Sequence, residues 1–330
     1  MSALKQIKDI TVNSIVTFAA VVSEMEIRSA KNGNEFISMS LMDKSGIIKG
    51  ICWNITDSIK DNVAVGTIVQ IMGRSKEFNG VLQLDITEVF RHPEQDYTPY
   101  INGEVVDVQA ACDVIDNAID QLGDRNIKDA VHSIYNQHRD QMMLAPAAKF
   151  IHHGYPNGLI QHTSQMVSIA QHLLTNEYKN LNQDIVIGAL ILHDLGKIFE
   201  LTDFPYDYTL AGQFFGHIAI VDALLVKHMA ESNLNLNFNI GVEASAILLM
   251  RHTILSHHGK TEWGSPITPK IPEAVFVHKL DQLDATLQVT RGALSQTTAD
   301  NLKSASKVYS LDNTHLFNTD TLINGIDQHE

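Results

Sequence analysis

Ile191-Leu192-His193-Asp194-Leu195-Gly196-Lys197 is the stretch from which the rest of the chain is read. The apolar run 185–192 has the character of a buried helix. It ends in an adjacent imidazole and carboxylate, followed by glycine and lysine. Neutral imidazole and carboxylate are ligands that divalent Mn, Fe or Co accept. Adjacent residues reach one ion, or bridge two, only where the backbone is fixed, and a buried helix end supplies that rigidity. A His-Asp dipeptide alone is common, so its weight depends on its surroundings.

Those surroundings are rich in the same groups. All 16 histidines lie after residue 91. His162 opens a helical stretch within Gly158-Leu159-Ile160-Gln161-His162-Thr163, and His217 follows Gly216 at the start of another. His257-His258-Gly259 closes a third. Asp281 and Asp284, spaced i, i+3, share a helix face. Periodicity predicts helices over 107–121, 125–142, 161–177, 184–194, 217–232, 240–257 and 272–293. His132, His138, His172 and His228 read as solvated helix-surface residues, and His252 as core packing.

Residues 14–90 have a different rhythm. Runs at 14–22, 34–42, 46–53, 66–74 and 81–90 read as strands, with turn signals at 31–34, 43–46 and 78–80. In the second run Ile37, Met39 and Leu41 share one face, and Phe36, Ser38 and Ser40 the other. Leu82, Leu84 and Ile86 mark the inward side of the last. With a short helix predicted over 54–63, the order of three strands, helix and two strands is that of an OB-fold barrel. The expected fold is therefore multi-domain α+β. An all-β OB-fold barrel occupies 1–92, a linker with two prolines 93–106, an all-α helical bundle 107–310, and a polar tail 311–330.

A chain of 330 residues accommodates two such domains, and 44% hydrophobic with 19% charged residues is a globular composition. No apolar run in the sequence approaches the roughly 18–20 residues of a membrane span. The N-terminus lacks the features of a secretory signal, and Cys52 and Cys112 form no metal or redox spacing, so a cytoplasmic setting without a membrane partner is expected. The net charge is −14, yet residues 1–92 hold ten Lys/Arg and ten Asp/Glu, so the acidic excess lies in the helical part. That part suits cations and repels phosphate backbones. Nucleic acid would then be held by local groups. Phe36, outward by parity, is a candidate stacking platform. Trp53 and Phe78 either join it or fill the barrel core, and Arg74, Lys76 and Lys49 are available for phosphates.

The ordered series His, His-Asp, His, His-His, Asp resembles the HD superfamily of metal-dependent phosphohydrolases, in the form that carries two metals. The resemblance implies one ion held by His162, His193, Asp194 and Asp281. Asp194 would bridge to a second, held by His217 and His257 with His258 beside them. Asp284 would sit outside the ligand shell. Lys197 reads as a helix C-terminal cation or, by the family pattern, as a phosphate contact.

Further stretches resemble the YhaM-type 3′–5′ exoribonucleases, which also place an OB-fold before an HD domain. These are His152-His153-Gly154-Tyr155 with Gly158-Leu159 and His162-Thr163, then Ile254-Leu255-Ser256-His257-His258-Gly259-Lys260 with Gly264-Ser265-Pro266, then Leu280-Asp281-Gln282-Leu283-Asp284-Ala285 and Tyr309-Ser310-Leu311-Asp312-Asn313. The chain departs from that pattern at Asn157, where the family has the first of two glycines, and at Gln161, where it has Glu. The resemblance implies a cytoplasmic, homo-oligomeric 3′–5′ exoribonuclease that hydrolyses single-stranded RNA or DNA. Two divalent ions would activate a hydroxide, manganese foremost, with Co, Fe, Mg or Ni as alternatives. Asp194, Lys197 and His258 would be catalytic, and His152 and His153 would touch substrate. Two other readings compete: an HD phosphodiesterase for a small nucleotide or cyclic dinucleotide, and a non-catalytic single-strand-binding module. The second would be marked by a lost ligand, and none is lost.

Overall fold

A computed structural model of the chain describes residues 6–30, 33–56, 59, 63–78, 80–94, 97, 99–100, 106–148, 155–203, 206–234, 245–294, 303–304, 308 and 311–324. The chain divides into two compact units, 1–103 and 104–330.

The first unit is a closed five-stranded barrel in the order β1-β2-β3-β5-β4. Its strands are β1 (Ile15–Ser29), β2 (Glu35–Asp43), β3 (Gly46–Cys52), β4 (Ile68–Phe78) and β5 (Val81–Arg91). β1 is longer than the expected 14–22 because closure uses it twice. Its first half pairs with β4 from Ile15↔Arg74, and its second half with β2 up to Ser29↔Glu35. The register shift between Val22 and Glu24 bends the strand from one partner to the other. β3 runs parallel to β5 and completes the OB-fold arrangement. Phe18, Ile37, Met39, Leu41, Ile71 and Leu84 fill the interior.

Of the short helix expected over 54–63, only Ile59 is helical among the described residues; 57–58 and 60–62 lie outside them. The stretch 93–106 is not wholly a linker. The Tyr97 hydroxyl donates to the Gly66 carbonyl at 2.8 Å and Tyr100 is buried, so part of it folds onto the barrel.

The second unit is helical: α1 (Val108–Asp120), α2 (Arg125–Leu144), α3 (Gly158–Asn176), α4 (Gln183–Leu192), α5 (Lys197–Glu200), α6 (Leu210–Glu231), α7 (Ala246–Leu255), α8 (Pro272–Leu294) and α9 (Thr319–Asn324). α4 is the centre. Its residues from Ile185 to Leu192 are all buried, and α1, α2, α3, α7 and α8 pack around it. Asn182 caps it by accepting the Ile185 N–H at 3.2 Å. At Gly188 any Cβ would overlap Met250 and Ile127, so glycine lets α2 and α7 close on α4.

Several features differ from the sequence expectations. The helix expected at 217–232 begins at Leu210 and breaks at Gly216, whose φ of 69° only glycine adopts cheaply. Its two glycines read as loop, but Thr209 caps it, accepting the Gly212 N–H at 2.9 Å. By length and composition this is also one helix apolar enough to cross a bilayer, contrary to the expectation that no run comes near. It is interrupted by the break, and its Asp222 pairs with Arg251 of α7. Lastly, α5 was not expected at all. His138 is buried rather than solvated, its ring edge-on to Phe199 of α5 at 5.2 Å.

Candidate metal centre and nucleic-acid face

The end of α4 and the helices around it bring the singled-out histidines and aspartates together. His193, at the C-cap of α4, and Asp194 are buried, as are His162 near the start of α3, His217 just after the break in α6, and His257 just beyond α7. Asp281 faces them from α8. Asp194 is central. Its Oδ2 lies 3.4 Å from His193 Nε2 and 3.6 Å from His162 Nε2, while its Oδ1 lies 3.4 Å from His217 Nε2 and 3.8 Å from His257 Nε2. His162 Nε2 is also 3.4 Å from Asp281 Oδ1.

Each of five imidazoles is held through Nδ1. The Nδ1 of His193 is 2.8 Å from the Leu190 carbonyl, that of His257 2.7 Å from Ile254, and that of His258 2.8 Å from Trp263. His217 Nδ1 lies 3.0 Å from both Glu200 oxygens, and His162 Nδ1 2.6 Å from Asp284 Oδ2. All five acceptors lack protons, so Nδ1 carries the hydrogen and a neutral ring keeps a lone pair on Nε2. Such outer partners fix the tautomer and orientation of metal-ligating histidines.

The Nε2 atoms of His193, His217 and His257, together with Asp194 Oδ1, are buried without a hydrogen-bond partner. An unsatisfied buried polar group costs about 1–3 kcal/mol. Here four acceptors converge with no donor among them, and a cation meets that need. Among the described residues, three groups of side chains could hold an ion, with ligand atoms within 4.8 Å of one another: His162, His193 and Asp281; His193, Asp194 and His257; and His217, His257 and His258. The donor set of imidazole and carboxylate fits a first-row divalent ion.

The electrostatics agree with that fit. Burial, reinforced by His193 and His258, pushes the His257 pKa well below its usual range and keeps the ring neutral. Burial opposes charge on His162, but hydrogen bonds to Asp281 and Asp284 outweigh it and raise its pKa to about 10. The surrounding carboxylates therefore call for positive charge. Burial also works against the Asp194 carboxylate, yet the Lys197 ammonium and His193 hold its pKa well below the usual carboxylate range. Lys197 Nζ is 2.6 Å from Asp194 Oδ2, so this lysine is already ion-paired.

Glycines close the site. A Cβ on Gly196 would overlap the His217 carbonyl, and one on Gly259 the His278 ring. That is the physical reason for glycine after the His-Asp pair and after His257-His258.

Sequence reading missed Glu200, His278 and Trp263. Glu200 grips His217 twice, because its Oε1 also accepts the His217 backbone N–H at 3.1 Å. The only signal for it was its place one turn beyond Lys197. His278 Nδ1 lies 2.8 Å from the His257 carbonyl. His152 and His153 lie outside the described residues.

On the barrel, Phe36 and Trp53 meet with ring centroids 4.7 Å apart. Trp53 is 51% and Phe78 59% exposed, so neither fills the core. Phe78 pairs with Val81 at one end of β5, whereas Cys52, next to Trp53, pairs with Ile86. Five residues of β5, roughly 17 Å, separate the two ends. Between them Lys49 and Lys76 both lie opposite Gln83, and Arg74 opposite Asp85. Lys76 is ion-paired with Asp85 Oδ1 at 2.5 Å; Arg74 and Lys49 are exposed.

Comparison with known proteins agrees with this architecture. Residues 16–91 match the OB-fold nucleic acid binding domain family tRNA_anti-codon, and residues 159–286 the HD domain family. The chain is 29% identical over 318 residues to the 3′-5′ exoribonuclease YhaM of Listeria monocytogenes serotype 4b, covering 95% of this chain and 98% of that one. The serovar 1/2a protein of the same name matches equally. Among solved structures, the second OB-fold domain of replication protein A from Methanococcus maripaludis is 23% identical, with a TM-score of 0.23, over 27% of this chain and 95% of its own. The chain thus carries an OB-fold domain followed by an HD domain, as do the two halves of the sequence reading.

Proposed function

We propose that this chain is a 3′–5′ exoribonuclease that shortens single-stranded RNA, and single-stranded DNA as well, by phosphodiester hydrolysis. It would do so as a cytoplasmic homo-oligomer. The observation that carries the reading is the buried set of partnerless ligand atoms around Asp194, in a chain similar to YhaM along nearly its whole length. His162, His193, Asp194 and Asp281 would hold one divalent ion, and Asp194, His217 and His257 a second. Two such ions, manganese foremost, would supply Lewis acidity and a more acidic water at this centre. Asp284 and Glu200 keep the His162 and His217 rings in place. His258, whose pKa burial and His217 lower, presents an unprotonated Nε2 as a third nitrogen on the second side. Lys197, which lines the cavity beside Asp194, would offset charge growing on the phosphoryl oxygens. His152 and His153 would meet the substrate.

Incubating 5′-labelled single-stranded RNA with the protein and Mn²⁺ should give a ladder that shortens one nucleotide at a time. Internal cuts, or turnover of cyclic dinucleotides with no action on RNA, would overturn the reading.

The barrel would present the strand, with Phe36 and Trp53 stacking bases and Arg74 meeting phosphate. Phe36→Ala should weaken binding of long single-stranded RNA by about 1–3 kcal/mol. Residues 1–92 carry no net charge, so affinity should fall only modestly with salt, as a few phosphate contacts require. Anisotropy titrations across a salt series measure both. A steep salt slope unaffected by Phe36→Ala would place the strand in a basic groove elsewhere.

A further inference from the structure

Beside the candidate metal centre lies a second, larger cavity of about 730 Å³. Its size is within the range of small-ligand sites. It shares Lys197, His258 and Trp263 with the cavity over Asp194 and Asp281, so the two adjoin at those residues. Its wall includes Tyr208, Phe215 and Trp263, each at least 46% exposed. Large aromatic rings left in water beside a polar centre are uncommon unless something covers them.

Two of these rings are tied to the second group of histidines through the backbone. The break at Gly216 that directs His217 toward Asp194 has Phe215 immediately before it. The Trp263 carbonyl holds His258 through Nδ1 at 2.8 Å. Trp263 ends a short 3₁₀ turn, Thr261–Trp263, and the next residue, Gly264, takes a φ of 89°, which sets the direction of the chain there. Lys260 Nζ lies 4.3 Å from the indole centroid, a cation–π contact that steadies the ring, and 3.3 Å from Glu262 Oε1, which offsets its charge.

We infer that this cavity is the subsite for the base of the nucleotide being removed, and that Trp263 is its stacking platform. The inference rests on the nuclease reading, and specifies where the terminal base sits. The chemistry favours a nucleobase over another apolar group. A flat ring stacks on indole without sequence preference, and a phosphate attached to it falls beside Lys197 and His258, which the two cavities share. The acidic helical unit offers little general attraction for a phosphate backbone, so base stacking adds to what the centre and Lys197 supply at this end.

The test compares RNA oligonucleotides that end in a normal or an abasic 3′ nucleotide, hydrolysed by the wild-type protein and by Trp263→Leu. Wild type should lose about 5- to 150-fold in kcat/KM on the abasic end, the range spanned by stacking one base. Trp263→Leu should lose a similar factor on the normal end, chiefly in KM, and almost nothing more on the abasic end. Equal losses on both ends would make Trp263 a structural prop for His258 and overturn the inference. So would no loss on either. If Trp263→Leu does not fold, Trp53→Phe serves instead, since the chain has two tryptophans. Titration with 5′-AMP should quench fluorescence in Trp53→Phe, in which Trp263 is the remaining indole. Absence of quenching in Trp53→Phe would overturn the assignment. This binding measurement also separates the two ideas. Quenching by 5′-AMP in Trp53→Phe, with no cleavage of RNA by the wild type, refutes the nuclease reading and leaves the base subsite standing.

Discussion

Asp194→Ala should take RNA hydrolysis down by about 10³-fold or more and release bound metal from both sides of the centre. The expectation follows from one carboxylate serving two sets of ligands. Oδ2 faces His162 and His193, and Oδ1 faces His217 and His257. No neighbouring group replaces it. The predicted loss corresponds to the several kcal/mol that metal ions contribute to a transition state, at 1.36 kcal/mol per tenfold. The fold should persist, because the core around α4 is built from Ile185 to Leu192 and not from this carboxylate. Some stability will be lost all the same, since Lys197 pairs with Asp194 and its side chain is 12% exposed. Asp194→Asn keeps the size and one acceptor oxygen, and so separates charge from shape. Elemental analysis, a gel assay and thermal unfolding together decide the matter. Near-wild-type activity in Asp194→Ala would remove the basis for the proposed centre.

Much of the fold was legible because periodicity reports burial directly. The alternation of Ile37, Met39 and Leu41 with Phe36, Ser38 and Ser40 set the inner face of β2, and the apolar run before His193 gave the central helix. What failed to show was set by partners distant in sequence. β1 runs on to Ser29, past the expected end at 22, because two different strands pair with its halves. Leu210 to Phe215 is helical although Gly212 and Gly216 look like loop, because a Cβ at Gly212 would overlap the Glu200 carbonyl and the helix needs that approach. The ordering of His162, His193, Asp194, His217, His257 and Asp281 showed which residues to watch. It did not show how they are held. Asp284 was placed outside the ligand set by the family resemblance, but Glu200 is joined to His217 by a turn that no local pattern announces. Trp263 carries no signal in the sequence, since its carbonyl contact with His258 exists only in three dimensions.

His217→Ala probes the side of the centre that the break in α6 creates. If a second ion is held there, the variant should keep about one ion per chain where wild type keeps two. Its rate should fall by orders of magnitude, as loss of a paired-metal clamp implies. The first side should remain loaded, because His162, His193 and Asp281 do not touch His217 and are oriented by Asp284 and Leu190. The truncation also strands Glu200. Its pKa lies below the usual range because hydrogen bonds from His217 outweigh the cost of burial, so the variant leaves a carboxylate without its imidazole and should be somewhat less stable. Glu200→Gln isolates that contribution. It keeps an acceptor near Nδ1 but removes the charge that makes the ring a better ligand, and changes in outer partners of this kind cost about 10- to 100-fold. A graded series is therefore expected, with wild type fastest, Glu200→Gln intermediate and His217→Ala slowest, and metal stoichiometry falling only in the last. If His217→Ala binds as much metal as wild type, the centre holds a single ion at the Asp281 side. His217 and Glu200 would then be a structural pair bracing α5 against α6.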